Sequence, residues 1–333
     1  MTDSNFFEFL KSKEIEKSKE FIQTKLKTEK DLIDIISNLI LFSSLVFRNN
    51  NKQTHPIILV NAVKNIIGDN RKNPSKILLN FLIEYLNLFK LRIDDKKIID
   101  ETLKEGTRES EFVSDLHDAC QEGNLKKIKK ISARIYIVSE RSRAVLDALV
   151  EVLLQNVEDS ILFVYHLLRS FQFQKSKNPW IFICSLIQEM EFFSVPNPHK
   201  SSMITPADIR KSMMLSGEIN LISSVERMWN GDYVRGESYR RELSHWCIEM
   251  SERIKINNDK KSISFSFKDK NNNFFIKLGE SIVLDKNKSL KAKINGLVTL
   301  ESLRAMKKLS KPDEIELLEN CFTDIIEDEN WKI

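Results

Sequence analysis

A mainly α fold is what this sequence predicts: an irregular multi-helix bundle with a short C-terminal β-hairpin or meander and closing helices. Three observations carry that expectation. The chain holds only 8 Gly and 7 Pro in 333 residues, and turns, strands and phosphate-cradling loops consume both. Leu, Ile and Phe recur at three- and four-residue spacing over long stretches, which is the period of a helix with one buried face. The joints between those stretches are two to five residues long, as between antiparallel neighbours in a bundle. No consensus recurs at a fixed period, so an irregular bundle is favoured over a repeat array.

The elements follow in order. Residues 4–27 are rich in Lys and Glu, with Phe6, Phe9, Leu10, Ile15, Phe21, Ile22 and Leu26 at helical spacing, so they predict an amphipathic helix broken once. Thr28, Glu29 and Asp31 open an apolar helix that the pattern carries to Phe47, where an Asn-rich loop ends it. Thr54-His55-Pro56 is a helix start, with Pro in the first turn where its missing N–H costs nothing. Further helices follow from about Pro74, Asp94, Glu109, Leu125, Ser139, Asp159 and Pro179. Gly123-Asn124 closes one and opens the next.

Ser194-Val-Pro-Asn-Pro-His-Lys-Ser-Ser reads as a linker, dividing a helical bundle domain (1–193) from a smaller helical region (205–333), with 194–204 between them. Thr205-Pro206-Ala-Asp208 starts the second part with cap, proline and acid in their favoured places. Another helix runs from about Glu237 to Ile254. At Asn257 the character changes. Ser262-Ile-Ser-Phe-Ser-Phe-Lys alternates strictly, and a polar turn leads to Phe274-Phe275-Ile-Lys-Leu, which predicts a β-hairpin within about 262–294. Ser281–Leu284 and Leu290–Ile294 are expected as short strands, before helices at about 298–309 and 312–327.

The bulk chemistry excludes more than it selects. Lys+Arg (52) nearly balance Asp+Glu (48), and a net charge of +4 on 333 residues gives no argument for nucleic acid. Residues 255–293 hold ten Lys against four acids, and 312–333 hold eight acids and one Lys. Cys120, Cys184, Cys247 and Cys321 form no CxxC pair, which suits a reduced, cytoplasmic setting better than a disulfide framework or zinc knuckle. The first residues show no leader pattern. The most apolar stretch, Leu32 to Phe47, is interrupted by Asp34, Ser37 and Asn38. It is too short and polar to span a bilayer, so no membrane partner is expected. No GxSxG, P-loop or dinucleotide fingerprint is present.

Chemistry, if any, rests on five histidines. His166 sits in Leu162-Phe-Val-Tyr-His-Leu-Leu-Arg, an almost wholly apolar helix, and a buried imidazole needs partners on both nitrogens. His55 begins a helix beside Pro56, with Asn61 on the same helix. His117 lies between Asp115 and Asp118, which favours a charged surface imidazole. His55, His166 and His117 are the candidate catalytic residues. Each has an equally simple structural role as a core, capping or surface histidine. His199 falls in the linker and is expected in solvent. Glu242-x-x-His245 has the spacing of a carboxylate-bridged di-iron pair, but such sites use two pairs and two further Glu. The residue types name no metal or other cofactor.

Thr54-His55-Pro-Ile-Ile-Leu-Val-Asn61-Ala62 resembles the His-Pro helix start of questin-oxidase-like proteins, and Phe163-Val-Tyr-His166 suits their interior histidine. The resemblance covers about residues 50–195. It implies an all-helical oxidoreductase in which His55 and His166 line a cavity; the terminal hairpin is not expected of that family.

Three functions stand on this reading. The first is a cytoplasmic helical scaffold or protein-interaction protein, which requires no catalytic motif. The second is a helical oxidoreductase or metal-dependent enzyme, which requires His55, His166 and His117 to converge on one pocket. The third is nucleic-acid binding through the Lys-rich hairpin, which requires Phe274 or Phe275 exposed for stacking.

Overall fold

A computed structural model of the chain describes residues 4–48, 50, 53–106, 112–174, 178–254, 265–267, 270–271 and 273–328. The fold is mainly α. The charged N-terminal segment forms α1 (Ser4–Lys11) and α2 (Ile15–Lys25), separated at Lys13, whose φ of 60° lies in the left-handed region. Thr28 opens α3 (Glu29–Ser44) through a reciprocal cap. Its hydroxyl accepts from the Asp31 N–H at 3.2 Å, and the Asp31 carboxylate accepts from the Thr28 N–H at 2.8 Å. The helix stops short of the expected end. Val46–Phe47 is a strand, β1, paired antiparallel with β2 (Lys90–Leu91).

The remaining helices are α4 (Pro56–Ile67), α5 (Lys76–Leu86), α6 (Asp95–Glu105), α7 (Val113–Gln121), α8 (Leu125–Val138), α9 (Ala144–Leu153), α10 (Val157–Phe173) and α11 (Pro179–Glu189). Beyond residue 200 come α12 (Pro206–Leu215), α13 (Ile219–Trp229), α14 (Gly236–Arg253), α15 (Phe274–Leu284), α16 (Leu290–Leu309) and α17 (Ile315–Asp328). Ser75, Asn124, Asn156, Asn178 and Ser289 cap their helices by accepting from the backbone N–H two or three residues further on.

Four of these helices close a ring: α4 packs on α10, α10 on α13, α13 on α16, and α16 back on α4. The others cover this quartet. α3 and α5 lie on α4, α9 and α11 on α10, α12 and α14 on α13, and α15 on α16. One continuous apolar core therefore runs through residues on both sides of 194–204.

The C-terminal region corrects the expected hairpin. Residues 262–264 and 268–269 lie outside the described residues. Phe265 and Phe267 are buried as an inward face requires, but Phe274 begins a helix where a second strand was expected. Residues 281–284 belong to the same helix, and 290–294 open α16. The physical reason is periodicity. Phe275, Ile276, Leu278, Gly279 and Ile282 are the buried positions of α15, a helical spacing that a run this short shares with a strand. Packing against α5 and α16 decides between them.

Candidate functional site

The structure places His55, His166 and His117 in different surroundings. His55 is the N-cap of α4, and its Nδ1 accepts from the Ile57 N–H at 3.1 Å. Its ring lies 4.8 Å from that of Phe163 on α10. Burial, with Arg48 and Arg92 nearby, pushes its pKa well below the ordinary value. His166 is fully buried on α10, with Nδ1 2.7 Å from Asn61 Nδ2 of α4, which makes Nδ1 the acceptor and Nε2 the protonated nitrogen. Burial lowers its pKa to about 3, so the imidazole is neutral. The segments around His55 and His166 thus meet at the α4–α10 seam, His55 against Phe163 and Asn61 against His166. His117, on α7, sits instead among Glu151, Arg235 and Arg241, with a pKa lowered first by burial. Among the described residues no group of three or more His, Cys, Asp or Glu is placed to hold a metal ion.

A polar layer crosses the centre of the four-helix ring. Glu301 of α16 is wholly buried. It accepts from Arg227 of α13 at 2.6 Å and from Asn65 of α4 at 2.8 Å. Burial, the largest influence, would raise its carboxyl, but the charge and hydrogen bond of Arg227 together with His166 and the Asn65 amide outweigh that and hold it at about 2. Arg227 also donates to the Ser223 carbonyl, and its guanidinium carbon lies 4.1 Å over the Tyr165 ring. Nearer the surface, Arg304 of α16 forms a two-point pair with Asp69 at 2.5 Å per bond. Several atoms of this layer have no hydrogen-bond partner among the described residues: His166 Nε2, Asn61 Oδ1, Glu301 Oε2 and Arg227 Nη2.

Lys64 of α4 stands at the edge of the layer without an ion pair among the described residues; its Nζ lies 5.0 Å over the Phe173 ring. Burial, reinforced by Arg169, Arg227 and Arg304 and only partly opposed by Glu301, lowers its pKa to about 7. Sequence reasoning found His166 but missed Lys64, Glu301 and Arg227. A signal was present: Glu301 takes a position between Leu300 and Leu303 on the apolar face of α16, and a buried charge is kept only when paired.

Two other expectations change. His199 is not simply solvated. Its Nδ1 lies 2.8 Å from Glu242 Oε2, and its ring stacks on His245 with centroids 3.8 Å apart. Ser202 adds bonds to Ser244, donating from its N–H and its hydroxyl. Glu242 and His245 therefore strap segment 194–204 onto α14 through His199. The hairpin phenylalanines are likewise spent internally. Phe265, Phe267 and Phe275 are buried, the first two against Phe322 and Phe275 against Phe267, Lys270 covers Phe265 and Phe274, and Lys307 covers Phe267 and Phe275. All four cysteines are buried, which raises the thiols of Cys120 and Cys247 to about 12 and of Cys321 to about 11, too high for a nucleophile.

On the outer face, beside the β1–β2 ribbon, lies a groove of about 330 Å³ lined by Phe47, Leu91, Ile93 and Ile98. Phe47 is 49% exposed and Ile93 88%. Arg92 holds the corner. Its guanidinium pairs with Asp95 and donates to the Ser44, Val46 and Ile181 carbonyls. No helix among the described residues is long and apolar enough to cross a membrane. No protein-family model, curated protein or solved structure matches the chain.

Proposed function

We propose that this chain is a helical interaction scaffold, and that it docks an uncharged, apolar segment of a partner polypeptide in the groove beside the β1–β2 ribbon. The observation that carries the reading is the pair Phe47 and Ile93, large apolar side chains left in water at the rim of a groove whose lining continues through Leu91 and Ile98. Clustered apolar exposure of this kind marks interaction sites, whereas singly scattered exposed residues mark nothing. The charges around the groove choose the partner's chemistry. Arg92 and Asp95 neutralise each other, and Lys90 and Lys129 balance Asp94 and Glu191, so neither an acidic nor a basic segment is favoured. The framework behind the groove is stiff. Arg48 pairs with Glu189 of α11 in the interior and donates to the Gln53 carbonyl, and Arg92 ties β2 to α3 and α11.

The test is selection of short random peptides, displayed on phage, against the purified protein. The expected enriched peptides are apolar and free of net charge, and their affinity falls by roughly tenfold or more, about 1.4 kcal/mol, for Phe47→Asp/Ile93→Asp. Both side chains are exposed, so the thermal midpoint of that variant stays close to the parent's. An absence of enrichment, or peptides that bind parent and variant alike, would overturn the reading.

A further inference from the structure

The two-stranded ribbon beside the groove is an open sheet, and its register fixes which main-chain groups are still unpaired. Val46 stands opposite Leu91, and Phe47 opposite Lys90. One position further along, the Arg92 N–H donates to the Leu45 carbonyl at 2.8 Å. Hydrogen-bonded and non-hydrogen-bonded pairs alternate along an antiparallel ladder. Leu45 with Arg92 is a bonded pair, so Val46 with Leu91 is a non-bonded one, and the N–H and C=O of both residues point out of the ribbon. On the β1 side the Val46 carbonyl accepts from the Arg92 guanidinium at 2.9 Å. On the β2 side neither the N–H nor the C=O of Leu91 has a hydrogen-bond partner among the described residues.

Leu91 is also one of the residues that line the groove, and Ile93, two positions on, is the side chain left 88% exposed at its rim. An unpaired strand edge is a template for another strand, and an apolar groove beside it receives the alternate side chains of that strand. The charges at the two ends of β2 add a direction. Lys90 and Asp94 are exposed and line the groove, and the Asp94 carboxylate does not cap α6. Neither has an ion pair among the described residues.

Given the docking role proposed for the groove, we infer that the partner segment binds extended, as a third strand antiparallel to β2, with one of its residues exchanging both main-chain hydrogen bonds with Leu91. Antiparallel pairing is the more stable of the two arrangements, and it alone lets a single residue satisfy both Leu91 groups. Charge complementarity then orders the segment. In a strand that runs against β2, the residue after the paired one faces Lys90 and is acidic. The residues before it reach toward Asp94, and one of them is basic. The occupant is therefore an apolar stretch with a basic residue before it and an acidic residue after it, neutral as a whole. A parallel strand would carry the opposite order.

The probe is the most enriched peptide of the phage selection, synthesised with both ends blocked. In protein carrying isotope-labelled leucine, the Leu91 amide should exchange with solvent roughly tenfold more slowly or better once the peptide is saturating. Methylating the peptide's backbone nitrogens one at a time should weaken binding roughly tenfold at the residue paired with Leu91. The residues on either side should tolerate it, because their N–H groups point away from β2. The enriched sequences should place the basic residue before the acidic one, and selection against Lys90→Glu/Asp94→Lys, both exposed positions, should reverse that order. Peptides that bind through Phe47 and Ile93 but leave Leu91 exchange unchanged, with no alternation in the methyl series, would overturn strand addition and leave the groove as a docking site. An absence of enrichment would remove the docking role and the third strand together.

Discussion

His166 shows what a single buried side chain does to the whole energy balance. Its imidazole has a pKa of about 3 in the folded chain against about 6.5 when unfolded. Folded-state pKa below unfolded means that the unfolded chain takes up the proton first. The neutral ring's contribution is therefore complete above pH 6.5 and is lost as pH falls toward 3. The slope is at most about 1.4 kcal/mol per pH unit. Urea unfolding of parent and His166→Gln at about pH 7.5 and about pH 5.5 isolates the term from that of His55, which shifts the same way. The parent should lose roughly 1 kcal/mol more than the variant between the two; parallel losses would show that folding does not lower the His166 pKa. How far such residues were legible differs with their surroundings. His166 stood out because an imidazole is rare and its neighbours in sequence are apolar. Lys64 did not, since a lysine on an amphipathic helix ordinarily reaches water, and the groups that crowd it, Phe173 and Arg169 of α10 and Arg227 of α13, are about 100 and 160 residues away in the chain. His199 was misread for the same reason: its partner Glu242 is 43 residues distant.

At the scale of elements, helix starts were legible wherever the cap chemistry is local. Thr28 with Asp31, Thr205 with Asp208, and Asn178 with Pro179 each fix a first turn through residues within three positions. The stretch 274–294 was not legible. Its apolar residues satisfy both periods, and what selects the helix is a neighbour, visible at Gly279. A Cβ built there would lie 3.3 Å from a methyl of Leu297 and 3.5 Å from methyls of Leu300 and Leu78, so α15 fits closely against α16 and α5 at a residue without a side chain. Gly279→Ala gains about 1 kcal/mol of helix propensity and costs a similar amount in displacing Leu297, so its net effect is small. Gly279→Ile has no such room and should lose at least about 2 kcal/mol by overpacking. Chemical unfolding of the two variants measures the contrast. Equal stability in both would mean that the helices do not approach closely here, and would reopen the case for strands. The β1–β2 ribbon was invisible to sequence reasoning because two residues per strand carry no period.

The whole molecule poses a question of cooperativity. Segment 194–204 reads as a linker from its Pro, Asn and Ser content, and Pro196, Asn197 and Pro198 are indeed exposed. Yet the ring of four helices takes α4 and α10 from before that segment and α13 and α16 from after it. The pairs that lock the ring, Arg227–Glu301 with Asn65 and Arg304–Asp69, involve residues of both parts. Separating the parts would expose the apolar faces of all four helices and strand the Asn65, Tyr165 and His166 side of a charged layer, which is costlier than any one core truncation. A chain built this way should unfold as one unit, with covalent continuity at 194–204 contributing little beyond holding the parts together. A specific protease site inserted between Pro196 and Asn197 tests this, since it leaves the His199–Glu242 strap in place. After cleavage the two pieces should co-elute in native gel filtration and melt in a single transition, at a midpoint that now depends on protein concentration because folding has become association. Two transitions, or pieces that separate without denaturant, would show that residues on each side of 194–204 hold a core of their own and that the four-helix ring is a docking interface rather than the centre of the fold.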